Sequence, residues 1–232
     1  TIYKFISKNA DTSTGSSTPT AGISATIGTN NIAGNTVYDI QNTGTAAASV
    51  AGIIRYTDGD VSKNKVYKII CNNAGANVVG IYATSGTGTF SNNMVSLGND
   101  ITGDVNITGI YDLLETNNYY YNSVYIGGSV SSGTKPTYAF RNNTANTRIF
   151  KNNIFYNNRT NSSGTAKHYA VRYAGNGENP PGLTADYNMF KVGGTGGVLG
   201  YYNNAEVSDI AAWRTATGQD ANSVEYTPSF SD

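Results

Sequence analysis

The chain has 232 residues, a formal net charge of zero, 13% charged residues, one Cys and one His. Asn (30), Thr (28), Gly (27) and Ser (20) fill 105 of the 232 positions, yet 18 Tyr and 38% hydrophobic residues supply material for a core, which argues against wholesale disorder. The neutral balance argues against nucleic acid as a partner, the single Cys excludes a disulfide framework and a Cys-based zinc site, and no apolar run approaches the roughly 18 residues of a membrane-inserted helix.

Residues 1–10 (TIYKFISKNA) lack the long apolar stretch of a signal peptide. Beyond them the chain repeats. One column is Gly or Ala followed by a large apolar residue: Gly22-Ile23, Gly52-Ile53, Gly80-Ile81, Gly109-Ile110, Ala139-Phe140, Ala170-Val171 and Gly200-Tyr201, with spacings of 30, 28, 29, 30, 31 and 30. A second column is Asn, any residue, then an apolar pair, at Asn35, Asn64, Asn92, Asn122 and Asn152, with a variant sixth member at Met189-Phe190. Two columns on one period define a repeat. Each unit holds short strand-forming runs such as VVGIYA and RIFKNNIFY, and no unit shows a helical period. Helical solenoids and leucine-rich horseshoes are thereby excluded, and a propeller blade needs about 40 residues or more. The spacing predicts an all-β fold, a parallel β-helix of about seven coils of 28–35 residues stacked at about 4.8 Å. An Asn at each bend tolerates left-handed backbone angles and can bond its neighbours above and below, so Asn35, Asn64, Asn92, Asn122 and Asn152 are expected to form a structural ladder.

These Asn turns and the G-I-I and G-I-Y strands resemble the right-handed parallel β-helix repeats of pectate-lyase-like folds, especially the Asn/Thr/Gly-rich forms in large secreted bacterial surface proteins. The segment from Asp209 through Trp213 to Asp220, followed by Tyr226-Thr-Pro228-Ser-Phe230, is similar to the stretch that closes such helices. The resemblance implies a right-handed coil and an extracellular or cell-surface bacterial location. It leaves function open, because this fold carries lyases, hydrolases, adhesins and inert spacers.

Residues 1–232 read as one domain with a closing segment from about 203. There Ser208 is expected to N-cap a short helix that Gly218 ends, with Ile210, Ala211 and Trp213 on its apolar side and Val224–Phe230 adding a strand. Exposed solenoid ends would invite a homo-oligomer or filament. The sixth coil is longer than the others, its surplus around residues 175–182, and residues 98–104, 127–136 and 157–167 form a variable polar side.

Candidate chemistry is sparse. Asp58-Gly-Asp60 is a weak calcium pair, since calcium takes six to eight oxygens; no other cofactor is indicated. Asp112 and Glu115 have no matching carboxylates in adjacent coils. Lys135, Arg159, Lys167 and His168, from neighbouring coils, could serve a polysaccharide lyase, although a solvated rim explains them more simply. A binding surface has better support. Strand side chains alternate, so the residue after each apolar member of the first column points outward. This places Tyr82, Tyr111, Arg141, Arg172 and Tyr202 on one open strip suited to a glycan or a protein chain. The facing of Tyr38, Tyr67, Val95, Tyr125, Phe155 and Phe190 depends on register and stays open. The expected function is a non-catalytic structural or adhesive rod, with a polysaccharide-binding or polysaccharide-cleaving module as the alternative.

Overall fold

The computed structural model describes residues 1–7, 20–44 and 49–228. Among the described residues the chain is a parallel β-solenoid of three long sheets and one two-stranded sheet. The first sheet stacks Thr20–Ala25, Val50–Arg55, Asn77–Ala83, Asn106–Asp112, Thr137–Asn142, His168–Arg172 and Gly197–Tyr202. The second stacks Ile32–Ala33, Val61–Ser62, Gly88–Ser91, Asn117–Tyr120, Arg148–Lys151 and Leu183–Asp186. The third runs from Ile2–Ser7 through Thr36–Asn42, Lys65–Ile70, Met94–Leu97, Ser123–Ile126, Ile154–Asn157 and Met189–Val192 to Val224–Glu225. Among the described residues six coils are complete, against the seven expected. Gly197–Tyr202 opens a seventh, but Asn203 and Asn204 both adopt positive φ (48° and 59°), and Ala205–Val207 returns antiparallel. Two consecutive left-handed residues are what a two-residue type I′ hairpin requires.

The ladder lies between the second and third sheets and corrects the predicted register. Its members are Asn35, Asn64, Asn93, Asn122, Asn153 and Asn188. The Asn93 amide donates to Val61 O (2.8 Å) in the coil before and to Asn122 Oδ1 (2.9 Å) in the coil after, while its own Oδ1 accepts from the backbone N and amide of Asn64. Asn64, Asn93, Asn122 and Asn153 therefore each tie three coils together. Asn92 and Asn152, expected in the ladder, are instead the preceding residues of the turn, with φ of 56° and 58°. That left-handed position is held elsewhere by Gly34, Lys63, Tyr121 and Tyr187.

The same one-residue slip settles the facing of the second column. Val37, Val66, Val95, Val124, Phe155 and Phe190 are register partners and point into the core. The outward partners are Tyr38, Tyr67, Ser96, Tyr125 and Tyr156. Gly22, Gly52, Gly80 and Gly109 sit where an added Cβ would overlap the γ-methyls of Val37, Val66, Val95 and Val124. Glycine is thus required by close approach of the first and third sheets. Toward the C-terminus the core becomes aromatic, with Phe140 between Phe150 (4.8 Å) and Phe155 (4.9 Å).

Trp213 covers the C-terminal end. The helix Ile210–Thr217 is N-capped by Asp209, whose carboxylate accepts from Ala212 N, and not by Ser208, whose hydroxyl donates to Asp209. Gly218 ends it at φ 64°. The helix buries Trp213 and Thr217 and packs Ile210, Ala212 and Ala216 against the core, whereas Ala211 is exposed. Trp213 packs on Tyr173, Phe190 and Tyr202, and occupies the space above Gly200, the register partner of Val171. Its indole N donates to Asp220, which also takes the last ladder amide, that of Asn188. The loop at 175–182 closes over this cap: Asn179 N donates to Thr217 O, and the Tyr202 hydroxyl to Gly177 O. The expected final strand is realised as Val224–Glu225, and residues 229–230 lie outside the described residues.

The variable polar side is partly structural. Ser129–Gly133 and Thr160–Gly164 form a parallel pair, and the buried Arg159 guanidinium donates to Gly98 O, Gly127 O and Ile101 O, lacing three coils.

Replacing Asn93 with Ala orphans several buried polar groups and is expected to cost about 3 kcal/mol. Asn92→Gly, at an exposed left-handed position that glycine adopts freely, is expected to change stability by less than about 0.5 kcal/mol. Urea unfolding of the two variants measures the contrast; equal losses would refute the register.

Candidate functional site

The outer face of the first sheet carries the predicted strip, with one correction. Tyr82, Tyr111, Arg141 and Arg172 are consecutive register partners, but the next partner is Tyr201. Tyr202 points inward and is buried under Trp213. The slip arises because Leu199, and not Gly200, follows the Gly/Ala column, so Gly200 falls at the core position. The Tyr82 and Tyr111 rings stack at 4.9 Å and 5°. The Arg141 guanidinium lies 4.6 Å from the Tyr111 ring centre and 5.2 Å from that of Tyr138, and Arg172 lies 5.5 Å from that of Tyr201. Tyr138 and Tyr169, stacked at 5.1 Å, form a parallel outward column that the sequence reading did not single out. Their signal was present in T-Y-A-F-R and H-Y-A-V-R, three residues before each Arg.

Beside this strip the face sinks into a groove of about 320 Å³. The floor is Ala51, Val79 and Thr108, with Tyr82, Tyr111 and Arg141 along one side and Ser49, Asn77 and Asn106 along the other. Floor and aromatic side share the outer face because alternation breaks at Gly80-Ile81 and Gly109-Ile110, where two consecutive residues face the core. The groove runs along the coil stack, across three coils. Burial pushes the Tyr82 phenol up to about 12, with its neighbour Tyr111 adding to the effect, and raises Tyr111 as well. Both phenols are therefore neutral donors and acceptors at physiological pH. The Tyr111 hydroxyl accepts from the Asn143 amide, whose oxygen takes Arg141 Nε, so ring and guanidinium are held as a unit.

A buried polar chain fixes the strip from behind. Arg55 donates to Asn117 Oδ1 (2.8 Å), Asn117 and Asn142 each donate to Asp112 (2.9 and 2.8 Å), and Arg148 Nε donates to Asn142 Oδ1 (3.1 Å). Asp112 and Asn142 directly follow Tyr111 and Arg141 and are register partners as they are, so the Asn142–Asp112 bond lies directly behind the strip. Burial outweighs these bonds and pushes the Asp112 carboxyl up to about 6.

The basic group suggested for catalysis is dispersed in its roles. His168 is buried: its Nδ1 lies 2.9 Å from Thr137 Oγ1 and its Nε2 2.9 Å from Asn161 Oδ1. Asn161 uses its amide on Ala166 O, and Thr137 Oγ1 accepts from Asn157. These directions assign a neutral imidazole with the proton on Nε2. Burial, and then the nearby Arg159, lowers it to about 4. Arg159 is committed to the three carbonyls described above. Lys167 pairs with Glu206 at 3.6 Å, and Lys135 gives its backbone N–H to Asp104. Asp58 accepts from Thr87 N and Oγ1, and Asp60 from Thr89 N, so each carboxylate caps the turn of the next coil. Those bonds hold Asp58 below the usual carboxylate range. Among the described residues no three His, Cys, Asp or Glu side chains converge as metal ligands would.

Comparison with protein families, with characterised proteins and with solved structures finds no match for this chain. The class it belongs to rests on its own geometry: a parallel β-solenoid with a capped C-terminal end and a grooved, aromatic outer face.

The two shifted buried groups act on stability with opposite signs. His168 stays neutral in the native state while the unfolded chain takes a proton below pH 6.5, so its contribution is lost as pH falls toward 4. Asp112 takes its proton near pH 6 in the native state and at 3.8 unfolded, so its contribution is gained over the same interval. Between pH 7 and 4.5 each is worth about 2 kcal/mol. Relative to the parent protein, His168→Gln is expected to make acidification more stabilising by about that amount, and Asp112→Asn less so. Urea unfolding at the two pH values measures both slopes; identical slopes would contradict the assignment.

Proposed function

We propose that the chain is a section of an extracellular, bacterial surface-located adhesive rod that holds an extended polysaccharide along the first-sheet groove. The observation that carries this reading is the pairing of a stacked aromatic wall, Tyr82 on Tyr111, with a wall of side-chain amides and a hydroxyl across a floor of Ala51, Val79 and Thr108. Sugar rings present C–H faces to aromatic rings and hydroxyls to amides, so a groove with one wall of each kind suits a glycan strand. Its direction along the coils suits an elongated ligand.

Binding without cleavage is favoured by what the charged groups are doing. His168 and Arg159 are buried with the ring nitrogens and the terminal guanidinium nitrogens engaged, and Asp112 is buried behind the strip. None of them presents a proton donor or acceptor to the groove. The rod reading fits the Asn/Thr/Gly-rich solenoid, in which most polar side chains serve turns and ladders.

A glycan array followed by calorimetry tests the reading. Tyr111→Ala is expected to weaken binding of the captured oligosaccharide by about tenfold or more, and Tyr187→Ala, at an exposed corner away from the groove, to leave it unchanged. Capture of no glycan, equal losses in the two variants, or release of shortened sugar by the parent protein would overturn it.

A further inference from the structure

The outer face also carries two like charges side by side. Arg141 and Arg172 are direct register partners on adjacent coils, which puts their backbones about 4.8 Å apart and their side chains on the same side of the sheet. Like charges directly opposite each other in a sheet destabilise it. Neither has a carboxylate partner: the ion pairs among the described residues are Lys68–Asp39 and Lys167–Glu206. What holds them is aromatic stacking, Arg141 on Tyr111 and Tyr138 and Arg172 on Tyr201. Arg141 spends its Nε on Asn143, and the terminal nitrogens of both side chains have no hydrogen-bond partner among the described residues. Both residues are half-buried, so their donors are accessible yet restrained.

We propose that Arg141 and Arg172 form a binding site for a tetrahedral oxyanion, a sulfate or phosphate monoester. A guanidinium fork uses up both oxygens of a carboxylate in one bidentate contact. The two side chains leave the sheet one coil apart and rest on rings of opposite neighbouring coils, so a group that engages both needs more oxygens, pointing in more than one direction. A sulfate or phosphate monoester has three terminal oxygens and enough charge to relieve the repulsion between the two Arg. The rings fix the guanidinium planes beforehand, so little side-chain freedom is lost on binding. Arg141 also borders the groove, so an ester carried on a glycan would be read at the end of the aromatic wall; that source of the ligand, and only that source, rests on the glycan reading above.

Calorimetry at fixed ionic strength tests this with four probes: inorganic sulfate, glucose 6-sulfate, acetate, and the unsulfated oligosaccharide captured by the array. Glucose 6-sulfate is expected to bind at one site, at least about tenfold more tightly than acetate. Arg172→Gln and Arg141→Gln, each checked for parental thermal unfolding, are expected to lose that binding, while Lys151→Gln keeps it. In the parent protein the side-chain nitrogen resonances of Arg172 should shift on titration. Inorganic sulfate binding as tightly as the sugar sulfate would assign the site to the free anion, and tighter binding of the sugar sulfate to an ester-bearing ligand; both support the site. Monoester binding without oligosaccharide binding would leave this site standing and remove the glycan reading. Acetate binding as tightly as glucose 6-sulfate, monoester binding unchanged in Arg172→Gln, or oligosaccharide binding with none of the monoester would overturn the proposal.

Discussion

A primary amide buried inside a protein has two donors and an oxygen that must all be satisfied, and this requirement fixes where each coil of the solenoid sits. Asn64, Asn93, Asn122 and Asn153 are buried at one corner, each reaching back to a main-chain carbonyl and forward to the next amide. Sliding any coil by one residue would leave these groups unpaired in a place water cannot reach. Hydrophobic packing alone would not be so strict, since Val, Ile and Phe columns tolerate small shifts far better than amides do. The inward and outward facing of the third-sheet strands beside this corner is fixed with it, Val37, Val66, Val95 and Val124 inward and Tyr38, Tyr67, Ser96 and Tyr125 outward.

The ladder also explains how the solenoid stops. Its last member, Asn188, finds Asp220 and the Ser223 hydroxyl where a further Asn would be, and Asp220 in turn holds the Trp213 indole. Termination of the polar corner and capping of the apolar core are therefore one construction. Gly200 makes room for the indole, the Asn203-Asn204 hairpin turns the chain back, and the loop at 175–182 is bonded to the helix end. The surplus residues of the sixth coil thus belong to the cap.

The period, the fold class and the identity of the outward strip were legible because strand alternation and Gly-apolar pairs recur in the sequence. The one-residue register was less so. In Asn92-Asn93 and Asn152-Asn153 both residues suit a turn, and only depth tells which amide is buried and which backbone is left-handed. At Leu199-Gly200-Tyr201 the Gly looks like another member of its column, yet it is the residue that yields to Trp213, which hid the inward turn of Tyr202. The Arg55–Asn117–Asp112–Asn142–Arg148 chain could not be read at all. Its members come from three coils: Asp112–Asn117 and Asn142–Arg148 are close in sequence, but the links that join them cross coils, Arg55 and Asn117 lying 62 residues apart and Asp112 and Asn142 30 apart. His168 was visible as a lone titratable group, but the Thr137 and Asn161 bonds that keep it neutral were not.

Hydrogen exchange of the side-chain amides, followed by NMR, tests the ladder most directly. The amide protons of Asn93, Asn122 and Asn153 are predicted to exchange only through opening of the coils, with protection close to that of the core strands. Those of Asn92 and Asn152 are predicted to exchange at the rate of exposed amides. Rapid exchange at Asn93 and Asn153, or protection at Asn92 and Asn152 instead, would contradict the account.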